Sequence, residues 1–103
     1  MQNPNARAQA IQNRLNQAKQ SAANLAETII DKQTSDYLLR LAVNHLGDVE
    51  RFLLPNAQKA ETERNADMWF RAAENVLRMS EEQIGLVKKL TDQYGRDIRV
   101  VGI

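Results

Sequence analysis

From residue 8 to residue 29, apolar or small side chains recur at alternating steps of three and four: Ala8, Ile11, Leu15, Ala18, Ala22, Leu25 and Ile29. That spacing lines one face of an α-helix and cannot line one face of a strand. Between Pro4 and Lys32 there is no glycine and no further proline. A first helix is therefore predicted over about 4–32, with Pro4 tolerated in its opening turn. Three of the seven seam residues are alanine and the flanks are mostly Asn and Gln, so the seam suits close approach by another helix. A helix of about 28 residues would be about 42 Å long, longer than a compact chain of 103 residues needs. Its overhang is expected to pair with a second copy or with another protein. Ile11, Leu15, Ala18, Ala22, Leu25 and Ile29 are the candidate contact residues.

The stretch SDYLLRLAVNHLGDVERFLLP predicts a second helix over 35–54, with Leu38, Leu41, Ala42, His45, Val49, Phe52 and Leu53 on one face. The apolar phase crosses Gly47 without a slip, which favours one continuous helix, and Pro55 ends it or opens the next. Residues 56–67 are the most polar part of the chain, but Ala57 and Ala60 among good helix formers make them the exposed start of a third helix, 56–79. Trp69, Phe70, Ala73, Val76 and Leu77 follow on one side. Trp69 is the largest apolar group available, expected to anchor the core or, if exposed, to mark a contact hot spot.

In RMSEEQIG, Ser80 and Gln83 have the spacing of a capping box, and Met79 and Ile84 that of a hydrophobic staple. Glu81 and Glu82 would stand in a first turn, where the helix dipole favours negative charge. A fourth helix is thus predicted over 81–94, stopped by Gly95. The remaining residues, 96–103, are β-prone and predict a short extended tail, packed on the domain or added to a partner's sheet edge. Together these elements predict a single all-α domain over 1–103. It is an elongated antiparallel bundle of three to four helices with an extended C-terminal tail.

Catalytic constellations are scarce. The chain has no cysteine and one histidine, so His45, even with Asp48 nearby, lacks the second His or Cys that a zinc-type site would need. Ser21, Ser35 and Ser80 have no motif that would activate a nucleophile. Glu61/Glu63 and Glu81/Glu82 sit in polar surroundings that would not raise a carboxyl pKa for general acid work. The four glycines are too far apart for a phosphate loop. No enzyme, no cofactor and no metal are expected.

Net charge is +1, which exerts no overall pull on nucleic acid or an anionic membrane. Residues 1–26 nevertheless hold Arg7, Arg14 and Lys19 and no acid. With Lys88 and Lys89 these are the candidate phosphate contacts of an alternative, nucleic-acid-binding reading. No apolar leader or membrane-length apolar run is evident. The expectation is a cytoplasmic interaction module, an adaptor, inhibitor or assembly factor, acting through the first-helix seam and self-associating as a homodimer.

Overall fold

In a computed structural model, the backbone of residues 4–29 and 34–101 is described, together with the side chains of residues 5–29 and 34–93. Three helical rods make the fold. The first is α1, Pro4–Ala26. The second comprises α2, Thr34–Asp48, a π-helical turn, Val49–Leu53, and α3, Leu54–Lys59. The third is α4, Glu63–Val101, 39 residues long.

The second rod is continuous. Asp48, Leu53 and Leu54 all keep right-handed helical backbone angles, and the chain runs through Gly47 without a break. The π turn ends two residues before Pro55. Proline lacks an N–H and its ring crowds the carbonyl four residues back, and a widened turn relieves both. In that turn the Leu54 N–H donates to the Val49 carbonyl. Pro55 therefore does not divide two helices, as the sequence had suggested.

The division falls instead at Ala60, whose extended backbone (φ −61°, ψ 135°) ends α3. Thr62 then caps α4, its Oγ1 accepting the Asn65 N–H at 3.2 Å. So helix boundaries at 54/56 are replaced by a single turn near residues 60–62.

The predicted boundary at Ser80 is absent. Ser80 is fully buried and its hydroxyl donates back to the Val76 carbonyl at 3.1 Å, inside a continuous helix. The reason is packing: Phe70, Ala73, Leu77, Ser80, Ile84 and Val87 form one unbroken 3-4 seam, every member buried. A break at residue 80 would take half of that seam off the core. Gly95 does not stop the helix either. Among the described residues no glycine has a positive φ, so the left-handed cap that a terminal Gly would supply is not formed. The backbone is helical through Val101 in place of an extended tail; Gly102 and Ile103 lie outside the described residues.

The first helix is shorter than predicted. It ends at Ala26, where the N–H and hydroxyl of Thr28 both converge on the Leu25 carbonyl, at 2.9 and 3.1 Å. Residues 30–33, over which the prediction had extended it, lie outside the described residues. The surplus length belongs to α4. At 1.5 Å per residue it is about 58 Å long against about 35 Å for α1, and it accounts for the molecule's 61 Å long axis.

Cross-helix contacts fix the topology. Lys19 pairs with Glu50, and His45 meets Gln83 while Phe52 meets Trp69, so successive rods run antiparallel. Arg7 pairs with Asp67 and Glu74, and Arg14 with Glu81, so α1 and α4 run parallel. The core between the rods joins Ile11 and Leu15 to Leu39, Leu46 and Val49 and to Phe70, Leu77 and Val87. Complete burial of each large member contributes about 1.5–3 kcal/mol. Ala8, Ala18, Ala22, Ala42, Ala57 and Ala73 are buried among them, which lets the backbones approach and keeps the bundle only 16 Å thick.

Candidate interaction face

The alanine-rich seam of α1 does not form an outer contact surface. Ile11, Leu15, Ala18, Ala22 and Ile29 are buried in the chain's own core and Leu25 is half-buried against it. Within this chain, α2 and α4 cover the seam that was expected to receive another protein.

The basic residues of α1 explain how it is held. The Arg7 guanidinium lies over the Phe70 ring at 5.1 Å. It donates from Nη2 and Nε to Glu74, at 2.7 and 3.2 Å, and from Nη1 to Asp67 at 2.7 Å. These bonds, those to Glu74 first, raise the Arg7 pKa further, and the bond from Arg7 holds the Asp67 carboxyl below its usual value. Arg14 makes the same two-pronged contact with Glu81, which raises its pKa as well. Lys19 reaches Glu50 at 2.7 Å. The three cations proposed as phosphate ligands therefore already hold carboxylates of the same chain. Lys88 and Lys89 are exposed on α4.

A second 3-4 seam on α4 is only partly covered. Trp69, Ala72, Val76, Met79, Gln83, Leu86 and Leu90 follow one another at steps of three and four, parallel to the buried seam and one face away from it. Trp69 and Val76 border the second rod, where the Phe52 ring meets Trp69 edge-on (5.7 Å, 85°). Met79 and Leu86 point outward. His45, on the same side of α2, lies with Nδ1 at 3.3 Å from the Gln83 side-chain oxygen, at the centre of an otherwise apolar strip.

Six large apolar side chains are strongly exposed, between 45% and 65%: Tyr37, Val43, Phe52, Met68, Met79 and Leu86. Met79 and Leu86 lie on the outer α4 seam and Phe52 beside its Trp69, whereas Met68 lies among Arg64, Asp67, Arg71 and Asn75 and Val43 between α1 and α2. The outer α4 seam includes no charged residue. Its spacing was visible in the sequence, but Trp69 alone was singled out, because nothing in the spacing distinguishes a covered seam from an open one.

Among the described residues no group of three or more His, Cys, Asp or Glu could hold a metal ion. No described helix is long and apolar enough to cross a membrane. No protein-family model, no curated protein and no solved structure shows significant similarity to the chain.

Proposed function

We infer that the protein is a non-enzymatic protein–protein interaction module of the cytoplasm, an adaptor, inhibitor or assembly factor that works by self-association. Its contact surface is the α2/α4 face rather than the α1 seam. The observation that carries this reading is the exposure of Met79 and Leu86 along the outer α4 seam, together with that of Phe52, which meets Trp69 of the same seam. Soluble monomers rarely leave a contiguous apolar patch larger than a few hundred Å². From Trp69 to Leu90 the face runs about 32 Å, and two helices side by side make it about 20 Å wide. The outline of that face is roughly 600 Å², its apolar side chains taking a part of it, against the ~800 Å² that each partner contributes to a standard interface. A second copy brings a face of matching size and composition. Nucleic acid is not preferred, because Arg7, Arg14 and Lys19 are turned onto carboxylates.

The test is the solution mass across a concentration range, for the native chain and for Leu86→Asp. The native chain should exceed its 11.7 kDa monomer mass. Leu86→Asp should be a helical monomer, and the emission of Trp69 should shift only where the native chain associates. A native monomer at every concentration would sink the self-association reading. An oligomer that Leu86→Asp leaves intact would place the contact elsewhere.

A further inference from the structure

Another exposed apolar side chain, Val43, belongs to a different feature. Between α1 and α2 lies a groove of about 470 Å³, within the range of small-molecule sites. Its floor is made by Ala22, Leu39 and Leu46, all buried, and its walls by Ala23, Ala26 and Val43. The groove exists because the α1 wall is alanine, which cannot fill the space opposite the branched side chains of α2.

One end is polar. Lys19 and Glu50 neutralise each other there at 2.7 Å. Arg51, beside them, meets no carboxylate among the described residues, and its Nε donates to the Gly47 carbonyl at 3.4 Å. A Cβ at position 47 would stand 2.6 Å from Arg51 Nη2. Glycine is unfavourable inside a helix, and here its missing side chain is what lets the guanidinium lie against the backbone at the mouth of the groove. The lining thus combines an apolar trough with one uncompensated positive charge whose planar fork suits a carboxylate.

We propose that this groove binds a linear aliphatic carboxylate, with the chain along Ala22, Leu39 and Val43 and the head group on Arg51. The site is separate from the α2/α4 face and does not depend on it. The test is titration of the full chain with dodecanoate below its micelle-forming concentration, followed by calorimetry and by backbone amide shifts. Saturable one-site binding is expected, with shifts centred on Ala23, Val43 and Gly47.

Arg51→Ala should weaken binding about tenfold or more. Ala23→Leu should fill the trough and abolish binding without lowering Tm. Gly47→Ala gives the most discriminating result. It should raise Tm, because alanine favours the helix, yet weaken binding, because its methyl displaces the guanidinium. Dodecyltrimethylammonium, with the same chain and the opposite charge, should not bind. Absence of saturable binding, an affinity unchanged by Arg51→Ala, or equal binding of the cationic amphiphile would each overturn the proposal.

Discussion

Two apolar seams of this bundle have the same spacing and different fates. Along the first seam, Ala8 to Leu25 on α1 and Ile29 just beyond it are small or medium in size, and all but Leu25 are buried. On α4, Trp69 to Leu90 include larger side chains, and Met79 and Leu86 are about half exposed. Hydrophobicity alone would have ranked them the other way. The difference lies in the flanks. Arg7 and Arg14 stand seven residues apart on α1, and Asp67, Glu74 and Glu81 repeat at the same interval on α4. Each bridging contact spans 60 or 67 residues, so charge sets both the partner and the parallel register of α1. The outer seam of α4 has no comparable set of complementary charges within the chain, and it stays partly open. Small residues and matched flanks specify an internal contact here, whereas the charges beside the outer seam, Glu82 and Lys89, meet no such match among the described residues.

The strongest way to break this comparison is to put one charge on each seam. Leu15→Asp buries an unpaired carboxylate at a fully covered site. It should remove about 4 kcal/mol or more, most of what a domain of this size possesses, and circular dichroism should show loss of helix. Leu86→Asp should leave the helical signal nearly unchanged, and the melting curve as well at concentrations where the native chain is monomeric. Equal destabilisation by both would mean that the outer seam is also part of the folding core.

A milder contrast uses truncation. Leu77 is fully buried and Met79, two residues on, is 45% exposed. Leu77→Ala should cost about 2–5 kcal/mol, and Met79→Ala about 0.5 kcal/mol or less, both measured by urea unfolding of the monomer.

The flanking charges come next. Arg7→Ala removes three charge-assisted hydrogen bonds and the cover on Phe70. A loss of about 1–2 kcal/mol is expected once partial solvent exposure of the carboxylates is allowed for. Lys19→Ala, at an exposed pair, should cost about 0.5 kcal/mol or less. The Asp67 carboxyl has a folded-state pKa below its unfolded value. Its contribution is therefore fully present above the ordinary carboxylate range and is lost as pH falls through the depressed folded value. Melting temperature should drop on acidification below about pH 4, and Asp67→Asn should flatten that limb.

The smallest effect carries the clearest sign. Were Ser80 a helix cap, Ser80→Ala would cost about 1 kcal/mol. Inside a continuous helix, with its hydroxyl bonded back to Val76, the same change should be neutral or slightly stabilising. A clear loss of stability would restore the cap.

Ser80 also shows where sequence reading fails. Met79, Ser80, Glu81, Glu82, Gln83 and Ile84 supply every local sign of a helix start, and each sign is a matter of a few residues. The seam through Phe70, Leu77, Ser80, Ile84 and Val87 is a longer-range signal, and burying all of it outweighs one cap. Pro55 misled for the opposite reason. Its disruption is absorbed by one widened turn, while the inconspicuous Thr62 provides the real cap. The outer face was legible only in part: Trp69, Met79, Leu86 and Leu90 have helical spacing in the sequence, but exposure is a property of what packs beside them.

The sequence by itself determined the all-α class, the absence of thiol chemistry and the alanine seam as a helix face, and it favoured passage of the second helix through Gly47. These follow from residue type and periodicity, which act within a few turns of one helix. Tertiary structure alone decided that α1 is covered by its own chain, that α4 rather than α1 carries the surplus length, and that Arg51, which meets no carboxylate among the described residues, borders an alanine-walled groove. Those outcomes depend on which side chains meet across 60 or more residues of sequence, and neither helix propensity nor periodicity contains that information.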